Sequence, residues 1–347
     1  MALTAFASEN ANTVKIGVIL PLTGNMAQVG EPQLAAVELF KKECATGHYK
    51  HKYQIIVEDD AFTGRLTAEA ANKFINVEHV DAMISFGSTA GNIIAPRARA
   101  AKIPHISAGT SDKKVADGIY NYINWAPPER EAVYLADTLQ KMGGRRVAFL
   151  TARQQGLMAI EDAAERELKK RGYPFISNTF FIPGERDFRT TLLKIQKQRP
   201  DILIPLGFSP EEEIILRQKK QLGFEAKVTS VESFDLMDSF DDAEGLFYVS
   251  GSLGSGEFQE ELLKTTGKKS YLGVPYTYES LNLIRAAYES QPTVDHAAAA
   301  RWVSNVKDRP SALGPLSTSR DGRIDSPAAF FQIVHGKPTP VTLEQIK

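Results

Sequence analysis

Residues 82–91 read AMISFGSTAG, and residues 92–101 continue NIIAPRARAA. The first five are an apolar run of strand length. Gly87, Ser88, Thr89 and Gly91 then break it, and apolar residues recur behind them at helical spacing. A strand running into a helix through small hydroxyl residues is half of a βαβ unit. The loop sits at the carboxyl end of the strand and the amino end of the helix. Backbone N–H groups there lack intrahelical partners, so the position suits an anion. Ser88 and Thr89 add hydroxyl donors. The same residues also suit a plain helix cap, and spacing alone leaves both readings open.

The pattern repeats outward. VKIGVIL (14–20), YQIIVED (53–59) and PHIS (104–107) read as strands, and 31–44 and 64–77 as amphipathic helices. It pauses at IYNYINWAPPER (119–130) and resumes with RRVAFLT (145–151), PFISNTFF (174–181), DILIPL (201–206) and AKVTSV (226–231), with helices between. GLFYVSGSLGSGE (245–257) is a second break. Helices follow over 275–290 and 293–307, then a hairpin-like β segment around Ser326-Pro327. The fold class is therefore α/β, with two open, mostly parallel sheets flanked by helices. At 347 residues the chain is long enough for two cores. Ligands of such sheets bind beyond the carboxyl ends of the strands, and the space between two lobes is a common place for a site.

Several strand ends carry suitable chemistry. In PHISAGTSD (104–112), Gly109, Thr110 and Ser111 follow a strand, and its last carbonyls with the Ser111 hydroxyl could accept from an ammonium; Ser111-Asp112 could equally cap a turn. In TSVESFD (229–235), Glu232 ends a strand where a carboxylate is costly unless paired. It could receive an ammonium, cap the next turn, or be a solvated loop acid. Phe208 and Ser209 end another strand, and Gln155 and Gly156 follow a third.

Other functions find little support. Lys+Arg is 41 against Asp+Glu 42, so no net field favours nucleic acid or an anionic membrane. No apolar run reaches spanning length. Cys44 is the only cysteine, which rules out an intrachain disulfide. Glu58-Asp59-Asp60 has no companion cluster at metal-ligand spacing, and Asp59 or Asp60 reads as a loop cap. His105, at a strand end, reads as structural. No nucleophile–base motif or glycine-rich phosphate loop is present, so no catalytic residue, metal or cofactor is expected. MALTAFAS at the start has a small-x-small form suggestive of an export-signal remnant, with order expected from near Asn12.

VKIGVILPLTGNMAQVGEPQLAAVELF, with Pro21, Thr23, Gly24 and Gly30, resembles the opening of the type I periplasmic solute-binding proteins of the Leu/Ile/Val-binding group. The similarity continues in order through VEDDAFTGRLTAEAANKFI, ISFGSTA, PHISAGTSD, ERDFRTTLLKIQKQRPDILIPLGFSPE and GPLSTSRDGR. It implies a two-lobed Venus flytrap with hinge crossovers near 122–127, 249–254 and 325–328. Lobe 1 would be 12–124 plus 251–325, and lobe 2 125–250 plus 326–347, with 1–11 a signal remnant or a disordered terminus. It also implies a monomeric periplasmic receptor that hands an amino acid or organic acid to the membrane permease of an ABC importer. By position, Ser88 and Thr89 would take the ligand carboxylate, Gly109 and Ser111 the ammonium, and Glu232 would be its charged partner. Val29, Phe208 and Tyr278 would line a side-chain pocket, although Tyr278 could be core. The chain departs from the family where Val29 replaces an aromatic, where Gly156 replaces a tyrosine, and where Phe208 and Ser209 stand for tyrosines. Phe62 and Gly87 occupy the region of a disulfide found in some members.

Overall fold

The computed structural model describes residues 12–173 and 175–347; the expected export remnant, 1–11, lies outside them. The chain begins β1 (Thr13–Leu20), α1 (Ala27–Thr46), β2 (Lys52–Asp59), α2 (Gly64–Lys73), β3 (Ala82–Phe86), α3 (Ser88–Ala101), β4 (His105–Ala108) and β5 (Asn121–Trp125). It continues α4 (Pro128–Met142), β6 (Val147–Ala152), α5 (Gln155–Lys170), β7 (Phe175–Phe181), α6 (Arg189–Gln196), β8 (Ile202–Leu206), α7 (Glu211–Gln221), β9 (Lys227–Val231) and β10 (Phe247–Gly251). It ends α8 (Gly256–Thr266), α9 (Val274–Glu289), α10 (His296–Ser304), β11 (Arg323–Asp325), β12 (Ala328–Ile333) and β13 (Pro338–Val341). Two units result: the chain up to Trp125 with Ser252–Ser326, and Ala126–Gly251 with Pro327–Lys347.

Unit 1 holds a six-stranded sheet ordered β11-β5-β4-β3-β1-β2, every pair parallel. A parallel sheet is covered on both faces, which is why β1 and β3 read as continuous apolar runs rather than alternating ones. Ala70, Ala71 and Phe74, from α2 and just beyond it, and Ala90, Ile94 and Ala98 of α3 pack against Ile19 and Met83. Gly17 is required there, because a Cβ on it would run into the Phe74 ring. The helices α1, α8 and α9 form a second cluster through Ala35, Ala36, Leu39, Phe258, Leu262 and Val274.

Unit 2 holds a seven-stranded sheet ordered β13-β12-β10-β9-β8-β6-β7. Strands β6 to β10 pair in parallel, while β12 pairs antiparallel with both β10 and β13. The expected hairpin exists, but it turns at His335 and Gly336, both at positive φ, and not at Ser326-Pro327. Ser326 and Pro327 mark the passage between units, and β11 before them pairs with β5 of unit 1. Pro327 cannot donate to a ladder, which misleads a search for hairpin turns. Helix α10 is also shorter than its apolar spacing suggests. Asp295 caps it by accepting from Ala298 N at 2.9 Å, and it ends at Ser304.

Unit 2 also buries carboxyl groups without cations. Glu161 of α5 is 1% exposed, and no donor reaches either carboxyl oxygen. Burial pushes its pKa up to about 7, with a Thr151 contact opposing the shift. An unfolded glutamate titrates near 4.3. The folded chain therefore binds this proton more tightly, and the resulting stability is full below the unfolded value and lost as pH rises through 7. The shift is worth about 4 kcal/mol. Thermal melts of wild type and Glu161→Gln should coincide near pH 4, and the glutamine variant should melt higher at pH 8. Parallel curves across that range would show that Glu161 titrates normally.

Candidate functional site

At the carboxyl edge of the unit 1 sheet, β3 is followed by Gly87, which takes φ +86° as the N-cap of α3. Ser88 is thus the first residue of the helix, and no side chain caps it. The Ser88 hydroxyl is 3% exposed and turned toward the neighbouring loop. Its oxygen accepts from Ser111 N at 3.1 Å and Asp112 N at 3.2 Å. A hydroxyl has two acceptor lone pairs and one proton. Both lone pairs are occupied, so Ser88 has only its proton to offer, and it can serve only as a donor. Thr89, half-buried, follows it in the first turn.

The second loop has the opposite polarity, set by a buried chain of hydrogen bonds. Asn121 uses its amide N–H groups on Ala95 O and Asp117, so its Oδ1 accepts. His105 must then donate from Nδ1, at 3.1 Å, and accept at Nε2 from Ser85, at 2.9 Å. Ser85 accepts in turn from Ser107 at 3.1 Å, and Ser107 accepts from Thr110 at 2.6 Å. The Thr110 proton is committed inward, which leaves its oxygen as an acceptor. Burial drives the His105 pKa down to about 4, so the ring stays neutral and the polarity fixed. Gly109 carries φ +59°, and a Cβ there would strike the Phe86 ring. Asp112 closes the loop by accepting from Lys114 N and from the Asn92 amide.

The remaining unit 1 candidates are structural. Asp59 accepts from Leu22 N, Thr23 N, the Thr23 hydroxyl and Ala61 N, and Asp60 from Phe62 N and Thr67. The Phe62 ring edge lies where a Cβ on Gly87 would come within 3.2 Å. Val29 is wholly buried in α1. Tyr278 packs its ring on Phe258 at 5.1 Å and donates its hydroxyl to Glu43 of α1, against the cluster formed by α1, α8 and α9. The spacing in α9 could not show which face of the helix the ring occupies.

In unit 2, Glu232 follows β9 with φ +61°, 8% exposed. Its N–H donates to Val249 O and its carbonyl accepts from Asp235 N, both within the backbone, and its side chain caps nothing. Glu131, in the first turn of α4, is fully buried with no donor to either oxygen, and its carboxyl lies within hydrogen-bonding reach of Glu232. Burial, then the Glu232 charge, raises the Glu131 pKa well above the usual range. Two ionised carboxylates at about 4 Å would repel by about 4 kcal/mol at a protein-like dielectric. The α4 amino end returns only about 0.3–1 kcal/mol to an anion, so the pair keeps a proton. Asp235, pushed up to about 6 by burial, accepts from Tyr248 at 2.7 Å. Sequence reasoning missed Glu131, which directly follows PPER (127–130) in what looks like an ordinary acidic first turn.

The other unit 2 candidates divide. Ser209 is held in its own loop, with its hydroxyl 2.8 Å from Glu213 and 2.9 Å from Asp238. Phe208 is half-buried against the unit 2 core. Gln155 is exposed and Gly156 buried in the first turn of α5, which Gln154 caps by accepting from Leu157 N. Among the described residues, no group of acids, histidines or thiols is placed to hold a metal, and no helix is long and apolar enough to cross a membrane.

Comparison with known proteins agrees with this architecture. A Leu/Ile/Val-binding protein homologue of Brucella melitensis is 24% identical over 346 residues, covering 94% of this chain and 93% of its own. The crystal structure of a leucine-binding protein of Thermotoga maritima superposes with a TM-score of 0.86 at 20% identity, covering 95% of this chain and 98% of that one. A solute-binding protein of an ABC transporter from Rhodopseudomonas palustris, solved with 3,4-dihydroxybenzoic acid, gives 0.79 at 19% identity, covering 95% and 96%. The family model described as periplasmic binding protein matches residues 13–338, and the chain belongs to that family of solute-binding proteins.

Proposed function

We propose that this chain is an extracytoplasmic receptor that delivers a small apolar α-amino acid to an ABC importer. One observation carries the ligand class: the two unit 1 loops have opposite, fixed polarity. Ser88 offers a proton, and Thr110 offers an oxygen. A zwitterion needs both within the span of one Cα. The amino end of α3 adds its dipole on the carboxylate side. In unit 2, Glu232 supplies the negative charge that an α-ammonium needs, with Glu131 and Asp235 beside it. That concentration of acid opposes a ligand whose only charge is negative. Relatives include Leu/Ile/Val-binding proteins, which supports an aliphatic side chain. The binding of 3,4-dihydroxybenzoic acid by one relative makes an aromatic acid the competing outcome.

Calorimetry with leucine, isoleucine, valine, phenylalanine and benzoate tests the class. Glu232→Ala should weaken the preferred amino acid by about a hundredfold or more, the scale of a broken buried ion pair. Unchanged affinity would remove Glu232 as the ammonium partner and favour an organic acid.

Ser88→Ala separates the two ends of the ligand. It removes the donor and orphans two buried amides, about 1–3 kcal/mol for each group left unsatisfied. The loosened loop affects every ligand alike, whereas the lost donor affects only a carboxylate. Leucine affinity should therefore fall more than that of leucinamide. Equal losses would place the carboxylate elsewhere.

A further inference from the structure

The chain passes between its two units three times, after Trp125, Gly251 and Ser326. Each passage is short because both of its ends are held. On the unit 2 side, Ala126, Val249 and Ala328 are buried in one apolar core, and Gly251 pairs with Ala328 at the end of the β10–β12 ladder. On the unit 1 side, Asp325 pairs with Trp125 at the end of the β11–β5 ladder. Ser252 and Ser326 lie outside the strands, and the first turn of α9 holds them instead. Tyr276 is wholly buried there, and its hydroxyl accepts from Ser252 N at 2.8 Å. Its carbonyl accepts from Asn124 Nδ2 at 3.0 Å and from the Ser280 hydroxyl at 2.7 Å. Asn124 in turn accepts from the Ser326 hydroxyl at 2.8 Å. The Trp125 ring packs on the Tyr276 ring with centroids 4.4 Å apart. Thr277, the next residue, donates to Gln33 of α1 at 2.6 Å, so this turn is fixed to the helix layer of unit 1.

We propose that Tyr276 is a hinge anchor: it gathers the unit 1 ends of all three passages into one rigid cluster and confines bending to the Trp125–Ala126 junction, the Gly251–Ser252 junction and Pro327. Hinges absorb a change of angle in a few backbone dihedrals. A proline ring fixes its own φ, so Pro327 contributes chiefly through ψ. Each passage then has very few dihedrals to give. Their unit 1 ends cannot shift against one another, so the three bend together. The hydroxyl and the carbonyl of one residue serve different passages, and loosening one passage therefore loosens another. None of these contacts involves a ligand, so the anchor acts whatever the protein binds.

Amide hydrogen exchange of the ligand-free protein, resolved by residue with NMR, tests the anchor, because local opening is read at each amide separately. Tyr276→Phe keeps the ring on Trp125 and the carbonyl for Asn124 but removes the acceptor for Ser252 N. Exchange at Ser252 should rise about tenfold, the scale of one lost hydrogen bond. Asp325, which donates to Ser317 O, and Ile333, which donates to Leu246 O, should stay within about twofold of wild type. Ser326→Ala reaches Ser252 through Asn124 and Tyr276, and should speed its exchange about threefold, as members of one hydrogen-bond network are coupled. An unchanged Ser252 in Tyr276→Phe, or an equal rise at all three amides, overturns the anchor. An unchanged Ser252 in Ser326→Ala shows that the passages are held separately and overturns the shared cluster. Should Tyr276→Phe fail to fold, Ser326→Ala decides alone: a rise confined to Ser252 supports the anchor, and no rise or a uniform one overturns it.

Discussion

A parallel strand cannot pair with its predecessor until the chain has crossed back over the sheet. That constraint places every strand-to-helix loop of a unit on the same edge. In unit 1 it brings the loops after β3 and β4 together, since these strands are neighbours in register from Met83–His105 to Phe86–Ala108. Strand pairing alone does not hold the loops against each other. Ser88 does so by accepting two amides from the next loop, and it occupies the first position of α3 because Gly87 has taken the cap. The chemistry of the edge thus follows from a glycine: without a residue tolerant of positive φ at 87, the serine would cap its own helix and face inward.

The same edge shows how a buried network can impose direction. Hydroxyls can reverse, and a chain of them alone would have no fixed polarity. His105 prevents that, because a neutral ring has one donor and one acceptor, and Asn121 determines which nitrogen is which. A charged His105 would donate from both sides and reverse Ser85, Ser107 and Thr110. The cost of burying that charge keeps the ring neutral, so the desolvation of one histidine sets what Thr110 presents at the end of β4, the strand beside Asn121.

Much of this was legible in the sequence, for identifiable reasons. The alternation of strand and helix signals gave both sheets, because parallel strands covered on both faces are uniformly apolar. Small residues after β3 and β4 marked the loops, and Gly87 and Gly109 there take positive φ. Side-chain direction was not legible. Tyr278 has the right type for a ligand wall, but its place on α9 points it at α1 and Phe258. Ser209 has a suitable hydroxyl, but Glu213 four residues on holds it. The turn at His335 and Gly336 escaped because Ser326-Pro327 looked like the stronger break. Glu131 escaped because an acid in the first turn of a helix is ordinary, and nothing local reveals that a second carboxyl arrives from about a hundred residues later.

The two units use burial in opposite senses. In unit 1 it neutralises a base, His105. In unit 2 it raises the pKa of Glu131 well above the usual range and that of Asp235 to about 6, which favours the protonated form of both acids. The same desolvation cost thus acts on a base in one unit and on acids in the other.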